Sequence, residues 1–236
     1  MTVAAPASAP VGPLVDTAPR PLPARIAHRG ERVTLEPVDP RRHVEDLWQA
    51  ASADQADSWA YMGYGPFASK EALLKQLQDF AAGHDPLFFA VRSHTLGTVE
   101  GWMSLMEIHP RQADIEIGHI WLGPRLRRSA AATEAMFLLM RHAMDDLGYR
   151  RLVWKCNAVN MPSRRAADRL GFTYEGTLRN ILIVKGRRRD TAWFSILDNE
   201  WPACRDAITG WLAPENFRPD GTAIAGLAAV REGLAT

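Results

Sequence analysis

The sequence predicts an α/β (α+β) domain on a mixed, mostly antiparallel sheet of about seven strands flanked by helices. Three observations predict it: an opening strand-then-helix pair, three alternating runs in close succession, and a closing β-α-β stretch that ends in two strands around a turn. At 236 residues and 47% apolar content, the chain is long enough for one sizeable core.

The segment 1–25, "MTVAAPASAPVGPLVDTAPRPLPAR", is rich in Pro and Ala and reads as a disordered leader. It has no basic n-region and no continuous apolar core, so it does not read as a signal peptide. A single domain is expected over 26–213. "RVTLEPV" at 32–38 alternates as a strand, and "PRRHVEDLWQAAS" follows with Val44, Leu47, Trp48 and Ala51 at helical spacing. Ser69 caps a second helix over 69–82, with Leu73, Leu74, Leu77 and Phe80 on one face and Gly83 as its stop. The runs 86–93, 98–108 and 113–122 predict an antiparallel meander. A helix over 129–147 carries Ala132, Ala135, Met136, Leu139, Ala143 and Leu147 as its buried stripe and stops at Gly148. "RLVWKCN" at 151–157 is a strand, and Asn160 caps the short helix "MPSRRAADRL". "ILIVKG" and "TAWFSIL" are strands around a basic turn. A last helix covers 203–212, and the tail 214–236 reads as loose.

Charge limits the function classes. With 28 basic and 27 acidic residues, the chain lacks the field of a dedicated nucleic-acid binder, so any basic feature is local. Cys156 and Cys204 form neither a disulfide framework nor a zinc spacing, which fits a cytoplasmic protein. Neither HExxH nor a close carboxylate–histidine set supports a metal, and no run is long and apolar enough to span a membrane. The local basic feature lies at 125–132, where Arg125, Arg127 and Arg128 crowd a helix entrance. Free backbone amides there attract anions, and Ala130, Ala131 and Ala132 keep it narrow enough for a phosphate oxygen to approach. Taken alone, the same loop is a capped helix with solvated arginines.

The ordered series "IEIGHIWLGP", "RLRRSAAATEA", "NAVNMPS" and "RLGFTYEGTLR" resembles the GNAT superfamily of acetyl-CoA-dependent N-acetyltransferases, in particular its ribosomal-protein N-terminal acetyltransferase branch, over roughly residues 30 to 202. The family's pyrophosphate loop, Q/R-x-x-G-x-G/A, corresponds here to Arg127, Arg128, Ser129, Ala130, Ala131 and Ala132. Ala130 replaces the usual first glycine, which raises the question of whether that backbone needs positive φ. The resemblance implies a V-shaped opening where strand 113–122 splays from 151–157, with backbone groups near Trp121 and Leu122 pairing with the pantetheine arm of acetyl-CoA. It also implies that Asn160 reaches the cofactor amide and Ser163 lies near the thiol. Each has a plain alternative, helix capping for Asn160 and first-turn solubility for Ser163. Many relatives carry a tyrosine acid where this chain has Ala167, which leaves Ser163 as the acid the branch suggests.

No GxSxG motif is present, and Cys156, in phase with Leu152 and Trp154, belongs to the core. Direct attack by an amine therefore fits better than a covalent enzyme intermediate, and it requires a base. Glu116 points away from Ile115 and Ile117, with Gly118 opening space beside it; its plain alternative is a solvated edge carboxylate. His119, in phase with Ile117 and Trp121, reads as a half-buried histidine. Trp59, Tyr61, Met62, Tyr64 and Phe67 either wall a substrate pocket or pack a loop. "VKGRRRD" at 184–190 reads as a hairpin with a solvated basic tip. The expected activity is acetyl transfer to a primary amine, on a protein N-terminus or a small molecule, with room for a homodimer. The rivals are a silent acyl-CoA-binding regulatory module and a nucleic-acid binder using the arginine clusters.

Overall fold

The computed structural model describes residues 12–54 and 56–234, without the side chains of 56 and 57. One eight-stranded sheet runs β1-β2-β3-β4-β5-β6-β8-β7. Its strands are β1 His28–Arg29, β2 Val33–Pro37, β3 Leu87–Ser93, β4 Val99–His109, β5 Asp114–Leu122, β6 Arg151–Asn157, β7 Thr173–Val184 and β8 Arg187–Leu197. The helices are α1 Pro40–Ser52, α2 Lys70–Ala82, α3 Ala130–Arg141, α4 Met161–Leu170, α5 Trp201–Leu212 and α6 Leu227–Leu234. The expected seven strands are β2 to β8, and the eighth is the two-residue β1.

The helix starts follow their caps. Ser69 and Ser129 each accept the amide three residues on, Ala72 at 3.3 Å and Ala132 at 3.0 Å, and Asn160 does the same for Ser163 at 3.2 Å. The long helix expected over 129–147 divides at Arg141, where the turn His142–Asp146 widens to π geometry.

Two cores sandwich the sheet. Leu47, Leu73, Leu77 and Phe80 of α1 and α2 pack on Phe88, Ala90, Val99 and Trp102. On the other face α3 and α5 cover Leu35, Phe89, Met103, Leu105, Ile115 and Ile117. Cys156 is buried on that second face, as its phase with Leu152 and Trp154 requires.

Both termini are tied down where they are described. The first eleven residues of the expected leader lie outside the described residues. Its remainder lacks regular structure but is bonded to the domain: the Arg20 amide donates to the Pro110 carbonyl at 3.0 Å and the Tyr149 hydroxyl to the Pro21 carbonyl at 3.1 Å. The tail 214–236, expected to be loose, instead carries α6. Leu227 is buried, Trp211 Nε1 donates to the Ala225 carbonyl at 3.0 Å, and Arg231 donates to the Arg169 carbonyl. One buried apolar position and two side-chain donors anchor this eight-residue helix, which is too short to hold its structure without such docking.

Candidate active site

The strands β5 and β6 are parallel neighbours for only three residue pairs, ending at Glu116↔Val153. Beyond that pair they part, and the gap opens on both faces of the sheet. One mouth is a cleft of about 510 Å³ at the α3 entrance, reaching Leu122, Arg128, Ser129, Thr133 and Arg165. The other is a cleft of about 520 Å³ that reaches Glu116, His119, Lys155, Arg189 and Trp193. They share Tyr61, Ile120, Trp154, Asn160 and Ser163, so they are two ends of one passage between the splayed strands.

At the first mouth Ser129 caps α3, and Ala130 to Ala132 form its first turn. The positive φ in this loop falls at Arg128, at 61°, and not at Ala130, which is helical. Alanine is therefore unstrained where relatives use glycine. The amides of Ala130 and Ala131 have no acceptor among the described residues, as expected of the first helical positions. The arginines divide their tasks. Arg125 pairs with Glu100 and Arg127 with Asp54, and Arg127 Nε also donates to the Leu122 carbonyl at 2.6 Å. Arg128 stays exposed at the mouth, and Arg165 of α4 lines it as well. Trp121 turns its ring into the α1/α2 core, stacked on Trp59 at 4.7 Å, so only its backbone faces the passage. An entrance of free amides with two uncommitted guanidiniums suits a pyrophosphate.

In the middle, Asn160 caps α4 through Oδ1. Trp154 Nε1 donates to Ser163 Oγ at 3.0 Å. An indole N–H only donates, so Ser163 accepts there and its own proton is free to point elsewhere. The Cys156 thiol adjoins the same hydroxyl, and burial pushes it above its ordinary value, which makes it a poor nucleophile.

At the apex Glu116 is 5% exposed. Lys155 Nζ lies 2.8 Å from its Oε2 and forms an ion pair with it. Burial raises the carboxyl above its ordinary value, and Lys155 offsets only part of that rise. The room at Gly118 belongs to Met106, not to a substrate: a Cβ there would meet Met106 Sδ at 2.5 Å.

His119 departs from its expected phase. Trp102 pairs with Trp121 but Ser104 with Gly118, so β5 carries one extra residue, and His119 takes φ 50° in this bulge. Ile117 and Trp121 consequently lie in opposite cores. His119 faces the same cleft as Glu116 and stacks on Tyr64 at 5.6 Å. Trp102 Nε1 donates to the Tyr64 hydroxyl at 3.1 Å, and that hydroxyl lies 3.1 Å from His119 Nδ1. The arrangement that satisfies all three has Tyr64 donating to Nδ1, which puts the imidazole proton on Nε2. Burial also lowers the His119 pKa and keeps the ring neutral. A donor, and not a lone pair, then faces the cleft.

The aromatic loop serves both expected uses. Trp59 is core, Tyr64 supports His119, and Tyr61 and Met62 line the cleft. Lys185 at the β7/β8 turn donates to the Trp59 carbonyl at 2.8 Å and holds the hairpin against this loop. Sequence reasoning missed Lys155, Arg165 and Arg189. Among the described residues there is no group of three His, Cys, Asp or Glu able to hold a metal ion, and no helix long and apolar enough to cross a membrane.

A family model described as "Acetyltransferase (GNAT) domain" matches residues 32–173. A GCN5-related N-acetyltransferase from Brucella melitensis has a solved structure that is 44% identical, with a TM-score of 0.90, covering 91% of this chain and 98% of that one. A probable GNAT-family acetyltransferase from Chromobacterium violaceum is 38% identical, with a TM-score of 0.76, over 84% of this chain and 100% of that one. In sequence, a putative ribosomal N-acetyltransferase, YdaF of Bacillus subtilis, is 25% identical over 174 residues, 71% of this chain and 90% of its own length. A family that uses acetyl-CoA accounts for the anion-ready helix entrance at one mouth of the passage, and by the extent of these matches the chain belongs to the GNAT acetyltransferases.

Proposed function

We propose that the protein acetylates a primary amine by direct attack within a ternary complex, acetyl-CoA entering at the α3 mouth and the amine at the Glu116 mouth. The observation that carries this reading is the single passage between β5 and β6, with a buried carboxylate at its apex. When bound, acetyl-CoA supplies a thioester whose C–S bond breaks as the new C–N bond forms. The residues of the chain handle position and protons. An amine acceptor, whether an α-amino group of pKa about 8 or an alkylammonium of about 10, is mostly protonated at neutral pH and must lose a proton before it can attack. Glu116 takes that proton directly or through water, and its raised pKa makes it a better acceptor than a solvated carboxylate. Ser163, whose proton Trp154 does not take, donates to the departing sulfur. Arg128, Arg165 and the free amides of Ala130 and Ala131 hold the pyrophosphate, with Ser129 capping the helix behind them. Arg127 supports the loop through Asp54, and backbone groups of Trp121 and Leu122 and the Asn160 amide nitrogen face the pantetheine arm.

The Bacillus subtilis relative is named for a ribosomal substrate, so a peptide N-terminus is the first acceptor to try. The test is thiol release from acetyl-CoA in the presence of peptides, polyamines and small amines. Amine-dependent release is expected; acetyl-CoA binding with no release on any of them would refute the reading in favour of a silent acyl-CoA-binding module.

Two substitutions check the cofactor side. Arg128→Ala is expected to weaken acetyl-CoA binding by about 1–3 kcal/mol, the loss of a charge-assisted hydrogen bond. Unchanged affinity by calorimetry would remove Arg128 from the site. Ser163→Ala is expected to lower turnover by roughly tenfold or less, because water can replace a hydroxyl donor. A loss as large as that of the base would mean that Ser163 does more than donate.

A further inference from the structure

The Glu116 mouth concentrates unsatisfied polar atoms. Arg189 Nε, Thr191 Oγ1 and Trp193 Nε1 are all buried without a hydrogen-bond partner among the described residues, and all three residues line this cleft. Arg189, Thr191 and Trp193 occupy alternate positions of β8 and so share one face of the strand. Guanidinium and indole nitrogens only donate, and a hydroxyl can donate. A buried donor left unmet is costly, and more so when it is charged.

The cations of the cleft are not equivalent. Lys155 is already matched, by Glu116 at 2.8 Å and by the face of the Trp193 ring at 4.2 Å. Arg189 has no ion pair among the described residues. Its neighbour Asp190 is engaged elsewhere, its Oδ1 accepting the Asn180 amide at 2.7 Å. Burial lowers the Arg189 pKa although the Glu116 charge acts the other way, as expected of a guanidinium removed from water without a counter-ion beside it. A polyamine would bring a second ammonium toward Lys155 and Arg189 and be repelled. A single carboxylate matches one guanidinium fork in both charge and geometry, while Met62, Leu182 and Val184 supply apolar wall around it.

We propose that Arg189, Thr191 and Trp193 form an anion subsite, and that the acceptor amine carries a carboxylate which this subsite holds while Glu116 addresses the amine. The inference rests on the amine-acetylation reading above and narrows its substrate class. The carboxylate belongs either to a free amino acid or to an acidic side chain beside a peptide N-terminus.

The test uses two matched pairs: alanine against alaninamide, and the tripeptide amide Ala-Asp-Ala against Ala-Asn-Ala. Affinity is measured by calorimetry on the full chain saturated with CoA, and turnover separately by thiol release. The wild-type protein is expected to bind the carboxylate member of one pair at least tenfold more tightly, and which pair does so identifies the source of the anion. Arg189→Gln is expected to reduce that preference to threefold or less with the CoA affinity unchanged. Arg189→Lys is expected to restore part of it, and Thr191→Val, which keeps the shape, to reduce it severalfold. Equal affinity within both pairs would overturn the subsite, as would a preference that survives in a folded Arg189→Gln protein. The binding preference stands or falls independently of thiol release: selective binding without turnover would leave the subsite and refute the transferase reading, and unselective turnover would do the reverse.

Discussion

Glu134→Ala is expected to destabilise the protein by about 3–5 kcal/mol, the range for removing one partner of a buried charged network. Glu134 sits in the first turns of α3 and is 5% exposed. Its carboxylate accepts three successive backbone amides from the β1–β2 turn: Glu31 at 3.1 Å, Arg32 at 2.7 Å and Val33 at 2.9 Å. Arg32 Nη1 adds an ion pair at 3.6 Å. Truncation would leave those donors facing a void. The turn is shaped around this group, since a Cβ at Gly30 would meet Glu134 Oε2 at 2.5 Å. Glu134→Gln is expected to cost less than alanine but still more than a surface change, because its NH₂ would oppose amides that already donate. For a domain of this size the alanine variant is expected to melt roughly 10 °C lower. A melting temperature within two or three degrees of wild type would show that water replaces the carboxylate.

Glu134 was legible only as part of a motif, and the reason generalises. Period-2 and period-3.6 patterns report which face of an element is buried, and continuous apolar runs mark a strand buried on both, as in β3, where Phe88 and Ala90 face one core and Leu87, Phe89 and Val91 the other. Between them these signals located β2 to β6, β8 and the first five helices. The first half of β7 escaped: at the sheet edge, Thr173 to Glu175 and Leu178 to Asn180 are exposed and show no alternation to read. At His119 the alternation misled, because the extra residue is set by β4 register and not by β5 itself. A trace of it was present in Ile120, Trp121 and Leu122, three consecutive apolar residues that a regular two-faced strand would not carry. "GRRRD" hid a similar distinction. Arg187 and Arg188 are the solvated tip, whereas Arg189 turns into the cleft, in phase with Thr191 and Trp193. The Arg127–Asp54 pair joins residues 73 apart in sequence, and no local pattern reports such a partner.

Glu116→Gln is expected to lower turnover by roughly 10² or more at neutral pH, a usual loss for a general base, with acetyl-CoA affinity intact. Glutamine keeps the shape beside Lys155 and Met106 but cannot take a proton. The pH profile separates this role from a structural one. Because burial raises the Glu116 pKa, the wild-type acid limb of kcat/KM is expected above the ordinary carboxylate range, with activity lost as the pH falls through the raised value and the carboxylate becomes protonated. In Glu116→Gln that limb is expected to vanish. The rate then climbs with pH in proportion to the free amine, so the variant recovers part of its deficit toward alkaline pH. His119→Gln is expected to keep the acid limb, because the histidine presents an N–H and not a lone pair to the cleft. Its loss of rate is expected to be smaller and spread evenly over pH, as for a positioning donor. Tyr64→Phe extends the comparison: without the hydroxyl, Nδ1 loses its donor and the ring is free to adopt the other tautomer. Should Glu116→Gln retain wild-type turnover from pH 6 to 9 while His119→Gln abolishes the acid limb, the base is His119, reached through that other tautomer, and Glu116 serves only to neutralise Lys155.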